Sequence, residues 1–379
     1  MRIAIPREVK NREYRVAVTP AGAHELTRHG HDVFVEAGAG AGSRIPDSEY
    51  TEAGAKIVES ADATWAAGDL VLKVKEPVEE EYHRLRPGLV LFTYLHLAAS
   101  LPCTRALLDA RVTAIGYETV ELADRSLPLL APMSEVAGRL APQVGAGALM
   151  AAAGGRGVLL GGVPGVDAAT VVVIGAGVAG LNAATIALGM RADVTLLDRD
   201  LGRLRAANAR FSDRVRTIAS SAYEIERAVL DADLVIGAVL VPGTRAPKLV
   251  TNTMVARMRA GAVLVDISVD QGGCFEDTHP TTHDDPTYRV HDTVFYCVAN
   301  MPGAVPRTST HALTNATLPY VLAIAEGGWR SAMRRDPALA LGLNTHEGEV
   351  TCPPVAAAHG LPSVTPADVL GTAPRSAGA

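Results

Sequence analysis

The stretch Val171-Val-Val-Ile-Gly-Ala-Gly-Val-Ala-Gly180 constrains this chain more than any other, because an apolar β-branched run leads directly into G-x-G-x-x-G and then into a helix-forming sequence. A glycine pattern alone arises by chance, but here it follows a strand and opens a helix, the context a dinucleotide site requires. Gly175 permits the tight strand-to-helix turn, Gly177 lets backbone approach a pyrophosphate, and Gly180 lets the helix pack close to the strand. The first helical amides would then face phosphates. A second apolar run, residues 193–197, ends in Asp198, at the offset where a carboxylate bonds the adenosine ribose hydroxyls and repels a 2′-phosphate. The expected cofactor is therefore NAD, with Arg199 and Arg203 close enough to soften that preference, and a helix-capping Asp198 as the bland alternative.

Four other features bound the problem. The 379 residues suffice for two domains with their own cores, and 48% hydrophobic with 20% charged residues describes a folded globular chain. A formal net charge of −6 without any basic block argues against nucleic-acid or anionic-membrane partners. No apolar run reaches the length of about 18–20 residues that spans a bilayer, and a strand-like Arg2–Ile5 at the start leaves no signal-peptide pattern, so the cytoplasm is the expected compartment. Cys103, Cys274, Cys297 and Cys352 are scattered without a C-x-x-C pair, which suits reduced thiols.

Strand and helix patterns alternate along the chain. Strands are expected at 2–5, 32–35, 69–74, 89–95 and 112–117, with a helix capped by Thr19 and started by Pro20 and another over 102–110. Gly38-x-Gly40-x-Gly42 also follows a strand, but Ser43-Arg-Ile-Pro46 comes next instead of a helix start, so it reads as a flexible turn. A helical stretch over 134–152 should be kinked or broken by Pro142. Strands near 170–175, 193–198, 214–218, 233–239, 262–267 and 294–298 suit a doubly wound sheet of order 3-2-1-4-5-6. Helical spacing over 310–325 then returns the chain to its first half, and 371–379 is a low-complexity tail expected to lack fixed structure. The expected fold class is α/β: two Rossmann-like domains with parallel sheets, joined by long helices, with the active site in the interdomain cleft. The expected division is residues 1–128 for a substrate domain, 129–306 for the NAD domain, and 307–379 for the return helix and the rest of the substrate domain.

Ligands of open parallel sheets bind beyond the carboxyl ends of the strands, which filters the ionisable residues. Arg15 follows the first strand, Lys75 the run 69–74, His96 the run 89–95 and Glu118 the run 112–117; Asp270 and Asn300 occupy equivalent positions in the second half. Only five of the 35 basic residues are lysines, and two of those lie in Leu72-Lys-Val-Lys-Glu76, a hint that a compact ammonium matters there. Arg15 and Lys75 suit a substrate carboxylate and carbonyl, His96 suits proton transfer, and Asp270 could orient a water. Each has a bland reading: Lys75 as a solvated pair with Glu76, His96 as a hydrogen-bonded core residue, Glu118 as a partner of a base, Arg15 as surface, Asp270 as a turn former.

Further motifs are more specific than the glycine turn: Pro6-Arg-Glu-Val-Lys-Asn-Arg-Glu-Tyr-Arg-Val16, Lys73-Val-Lys-Glu-Pro77, His96-Leu-Ala-Ala-Ser100, Ser134-Glu-Val-Ala-Gly-Arg-Leu140, Gly161-Gly-Val-Pro-Gly165, Val265-Asp-Ile-Ser-Val-Asp-Gln-Gly-Gly-Cys274 and Cys297-Val-Ala-Asn-Met-Pro302. Together, over residues 1–370, the chain resembles the family that alanine dehydrogenases share with the NAD-binding subunit of pyridine nucleotide transhydrogenase. The resemblance implies reversible oxidative deamination of L-alanine to pyruvate and ammonium with NAD, in a homohexamer. It implies His96 and Asp270 as acid/base residues and Arg15, Lys75 and Asn300 around the substrate; Glu118 joins the substrate group by its strand-end position alone. Gly175, Gly177, Gly180, Ser134, Asp198, Arg203, Ser220, Val239, Leu240, Ile267, Asp270, Val298 and Met301 would border NAD. Some relatives carry an acidic residue and a histidine as a metal site on the late helix; Ala323 and Gly327 stand there, so no metal is expected. Alternatives from other classes are a soluble transhydrogenase subunit and a non-catalytic NAD-responsive binding protein.

Overall fold

The first sheet grows from β1 (Arg2–Ile5), in which Ile3, Ala4 and Ile5 have no solvent exposure and so must be covered on both faces. β2 (Asp32–Glu36), β3 (Lys56–Val58), β4 (Leu70–Leu72), β5 (Val90–Thr93) and β6 (Thr113–Gly116) join it in parallel in the order β3-β2-β1-β4-β5-β6. The computed structural model describes residues 1–239 and 246–371. It divides into two compact units, one of Met1–Met133 with the chain from Val305 onward, the other Ser134–Ala304. The crossings therefore fall a few residues from the boundaries at 128 and 306 that composition suggests.

In the first unit the helix Pro20–Arg28 starts as its sequence dictates: the Thr19 side chain accepts from the Gly22 amide, and Pro20 needs no amide at the first position. The glycine turn at 38–42 opens no α-helix, only the short 3-10 helix Ala41–Ser43; Asp47 accepts the Gly38 amide at 3.0 Å through both oxygens. This turn is packed, not flexible. A Cβ on Gly40 would lie 2.6 Å from the Ile45 carbonyl, and one on Gly42 2.8 Å from that of Tyr14.

The second unit holds β7 (Thr170–Ile174), β8 (Asp193–Asp198), β9 (Arg216–Ala219), β10 (Leu234–Gly237), β11 (Val263–Asp266), β12 (Thr287–Val290) and β13 (Thr293–Tyr296). Their order, β9-β8-β7-β10-β11-β13-β12, is the expected 3-2-1-4-5-6 with β12 added antiparallel at the edge. The first sheet ends in the same way. β14 (Leu343–His346) pairs antiparallel with β6, and β15 (Glu349–Val350) with β14. Each unit has its own core, around Val172, Leu264, Phe275 and Phe295 in one and around Trp65, Leu91, Leu97 and Leu107 in the other. Each such side chain contributes about 1.5–3 kcal/mol on burial.

Of the kink or break expected at Pro142, the break does not occur: one helix runs Ala131–Ala148 through it. Tertiary packing outweighs the missing amide. A Cβ on Gly138 would meet the Ala179 carbonyl at 2.2 Å, and one on Gly145 the Leu234 side chain at 2.7 Å, so the helix is pressed on the second unit on both sides of the proline.

Candidate active site

In the second unit three glycines join β7 to the helix Val178–Gly189. Gly175 has φ +107°, and a Cβ there would stand 2.6 Å from the Ala238 carbonyl. At Gly180 a Cβ would lie 1.7 Å from the Gly175 carbonyl, so this position admits no side chain without moving the helix. A Cβ on Gly177 would meet nothing within 4 Å, which leaves the helix N-terminus open where a pyrophosphate would approach. Asp198, at the end of β8 and 8% exposed, accepts the Ala176 amide at 2.7 Å and the Asp200 amide at 2.8 Å. Its carboxylate thus braces the glycine turn while lying where ribose hydroxyls are expected. Arg203 stands 3.9 Å from both Asp198 and Asp200. These residues fit a dinucleotide.

The first unit collects its candidates at the carboxyl ends of its strands. Arg15 is buried, with Nε and Nη2 on the two oxygens of Glu13 at 2.6 and 2.5 Å and Nη1 directed at Met133 Sδ at 2.9 Å. Burial opposes its charge, but Glu13 more than offsets that and raises the guanidinium pKa. The Nε/Nη2 fork of Arg15 thus faces Glu13. Lys75 is half-buried and forms no ion pair among the described residues. Neighbouring Glu76 pairs with Lys10; burial pushes its carboxyl up, but the charges of Lys75, Lys10 and His96 outweigh burial and hold it low.

His96 follows β5 in the left-handed region, φ 47° and ψ 35°, a conformation disfavoured for a residue with a side chain. Glu118 secures it, accepting the Leu95 amide at 3.1 Å and the His96 amide at 2.7 Å. The carboxylate of Glu118 is thus engaged by backbone, and its visible action is to hold the His96 loop. The His96 ring lies nearly parallel to that of Tyr94, 6.0 Å between centroids, and Tyr94 is fixed by its hydroxyl donating to the Leu129 carbonyl at 2.6 Å.

Asp270 is exposed on the turn after β11, and its Oδ2 accepts the Asn300 amide at 3.4 Å; Asn300 is left-handed, φ 61°. The turn owes its shape to Asp266, which sequence reasoning left unassigned. This fully buried carboxylate accepts the Ser268 amide at 2.9 Å, the Cys274 amide at 2.9 Å and the Thr278 hydroxyl at 2.6 Å, closing both ends of the loop that carries Asp270. Burial pushes its carboxyl above the ordinary range against the pull of these donors. Ser268 also donates to the Val239 carbonyl at 2.7 Å, and the Ile267 amide to that of Gly237. Ser134 and Ser220 are half-buried; Met301 is buried, and Val298 is buried and bridged to Thr281. Leu240 lies outside the described residues, as does the tail after Gly371.

A doubly wound sheet with an open glycine turn and an acidic end to its second strand, in a chain whose other sheet carries ionisable loops at its strand ends, defines a two-domain dinucleotide-dependent oxidoreductase. The family models "Alanine dehydrogenase/PNT, N-terminal domain" and "Alanine dehydrogenase/PNT, C-terminal domain" match residues 4–137 and 141–353. An alanine dehydrogenase of Mycobacterium tuberculosis (strain ATCC 25618 / H37Rv) is 64% identical over 370 residues, 98% of this chain and 100% of that protein. One of Halomonas elongata is 54% identical over 371 residues, again 98% and 100%. A solved L-alanine dehydrogenase superposes with a TM-score of 0.91 at 50% identity, covering 94% of this chain and 99% of that one. A transhydrogenase from Sinorhizobium meliloti reaches 0.78 at 28% identity, covering 93% and 99%. The chain belongs to the alanine dehydrogenase/PNT family, and it is an NAD-dependent enzyme.

Proposed function

We propose that the protein catalyses the reversible oxidative deamination of L-alanine to pyruvate and ammonium. The observation that carries this reading is the end-to-end likeness to alanine dehydrogenases, 64% over 98% of the chain; the transhydrogenase likeness is weaker, at 28%. NAD, when bound, supplies the hydride acceptor, and Gly175, Gly177, Gly180, Asp198 and the residues bordering them would hold it.

In the amination direction ammonia adds to the pyruvate carbonyl to give a carbinolamine, which loses water to the imine that is then reduced. Lys75, whose ammonium has no ion-pair partner among the described residues, stabilises the carbonyl oxygen as it becomes tetrahedral and anionic. Arg15, oriented by Glu13, adds positive charge toward the substrate carboxylate. His96 and Asp270 move protons as the carbinolamine forms and collapses, and Asn300 holds Asp270 through its amide. Glu118 positions His96. The protein is proposed to act as a homohexamer, by family likeness. The proposed compartment is the cytoplasm, in keeping with four buried, unpaired cysteines.

Purified protein with NAD⁺ and L-alanine at alkaline pH should form NADH, followed by absorbance, while D-alanine, glycine and NADP⁺ serve as controls. His96→Ala should lose about 10²–10⁴-fold in rate with NADH affinity unchanged. NADH binding without alanine-dependent turnover in the unmodified protein would overturn the reading in favour of a transhydrogenase subunit or a binding protein.

A further inference from the structure

Lys73 is a fully buried lysine, and no step of the reaction above uses it. Its ammonium lies 3.1 Å from Glu8 Oε2 and 2.9 Å from Glu81 Oε1, and both carboxylates are buried as well. The three residues come from separate segments: Glu8 from the loop that also carries Arg15, Lys73 from just beyond β4, and Glu81 from the short helix Glu79–Arg84. A buried ion pair is weak grounds for stability, since desolvation of each charge offsets most of the attraction. Burial pushes the Glu8 carboxyl up, with Lys73 opposing, and two carboxylates around one ammonium leave an uncompensated charge unless a proton is shared. Well-packed apolar residues would serve a purely structural purpose as well. The arrangement calls for another explanation.

The other oxygen of Glu8 supplies one. Oε1 accepts the Val74 amide at 2.6 Å, in the Lys73–Val74 peptide, one residue before Lys75. Among the described residues, the other hydrogen bonds of the Lys73–Lys75 backbone are longer: Lys73 N to the Phe92 carbonyl at 3.3 Å, Tyr94 N to the Val74 carbonyl at 3.3 Å, and the Thr93 hydroxyl to the Lys75 carbonyl at 3.0 Å. Glu8 therefore fixes the backbone from which Lys75 departs, and Lys73 with Glu81 fixes Glu8. We propose that Glu8 is a positioning residue: its carboxylate, anchored by the Lys73–Glu81 pair, sets the direction of Lys75 and ties the Lys75 strand end to the loop bearing Arg15. The inference rests on the role of Lys75 in binding pyruvate.

Reach and charge can be separated at this position. Glu8→Gln keeps an oxygen for the Val74 amide and leaves Lys73 and Glu81 as a neutral pair. Glu8→Asp keeps the charge but draws the carboxylate back by one methylene, away from Val74. Steady-state kinetics of pyruvate amination and NADH binding would be measured for both beside the unmodified protein. Positioning predicts a pyruvate KM raised about tenfold or more in Glu8→Asp, a KM within about threefold of the unmodified value in Glu8→Gln, and unchanged NADH affinity in both. A role in charge balance alone predicts the reverse order, and a role in folding alone predicts lower kcat and Tm with KM unchanged; either result overturns the proposal. Should Glu8→Asp prove insoluble, Val74→Pro, which removes the amide that Glu8 accepts and leaves all three charges, must raise the pyruvate KM in the same way, and an unchanged KM there also overturns it. Failure of the unmodified protein to turn over pyruvate would instead sink the functional reading, so the two failures are distinguishable.

Discussion

The two sheets share a central strand order, 3-2-1-4-5-6, yet differ in the first connection after the middle strand. In the second unit β7 ends at Ile174 and its helix begins at Val178, so three residues make the whole turn and only backbone faces outward. In the first unit β1 ends at Ile5 and the helix begins at Pro20, and the segment between carries Glu8, Lys10, Glu13 and Arg15. A short glycine turn brings amides and a helix dipole to a phosphate. A long charged loop offers side chains to the proposed small polar substrate, and needs buried counter-charges to hold them. One topology thus supports two kinds of recognition, chosen by the length and chemistry of a single connection.

Substitutions that attack each connection in its own terms would sharpen this contrast. The largest effect is expected from Gly180→Val, because no side chain fits 1.7 Å from the Gly175 carbonyl. NADH affinity, read by fluorescence on binding, should fall at least about 100-fold, equivalent to about 2.7 kcal/mol. Normal binding would show that the short turn is not what recognises the dinucleotide. Next comes Glu118→Ala, which frees the Leu95 and His96 amides and should lower kcat/KM for pyruvate by about 10–100-fold with NADH affinity unchanged, whereas Glu118→Gln retains an acceptor and should lose less. Equal losses in both variants would assign Glu118 a direct role in chemistry.

Asp198→Ala removes the acceptor of the Ala176 amide in the glycine turn and of the Asp200 amide after β8, so NAD use should fall by about tenfold and the NAD-to-NADP ratio should narrow, since Arg199 and Arg203 remain. An unchanged ratio would mean that Asp198 only braces the turn. The smallest effect belongs to a surface pair of the first sheet. The Arg2 side chain, hydrogen-bonded to Asp69, holds that carboxyl below its ordinary range. A depressed folded value gives stability that is present above the unfolded pKa and is lost as pH falls through the folded one. Asp69→Asn should therefore lower Tm by about 1–2 °C near neutral pH and by nothing in strong acid, in keeping with a half-exposed pair worth under about 1 kcal/mol.

Sequence reading succeeds where local chemistry is sufficient. The glycine turn, the strand-end position of Asp198, the strand order of the second sheet and the capped start at Thr19 each follow from residue patterns local in the chain. It fails where the decisive partner is remote. Lys73-Val-Lys-Glu looks like an alternating solvated strand end, and nothing nearby reveals that Glu8 and Glu81 enclose Lys73. The scarcity of lysine singles out both Lys73 and Lys75 without telling the buried one from the accessible one. Arg15 was legible as a strand-end cation, but its orientation depends on Glu13, which reads as one more polar residue of a charged loop. The edge strands β12, β14 and β15 are short and partly polar, and antiparallel pairing alone turns them into strands. Pro142 misleads in the opposite sense, because glycine-mediated packing supports a helix that propensity would interrupt.

The antiparallel strand β14 carries a consequence for how the chain is made. Its partner β6 leaves the ribosome early, but residues 343–346 follow only after the whole of Ser134–Ala304 has been synthesised. At about 5–20 residues per second, β6 waits on the order of ten seconds or more with one edge uncovered. The second unit is contiguous and can complete its sheet during that interval, so the nascent chain should acquire its dinucleotide-binding half first. The first unit remains a template with an open edge, vulnerable to pairing with a neighbouring nascent copy, until its last segment arrives.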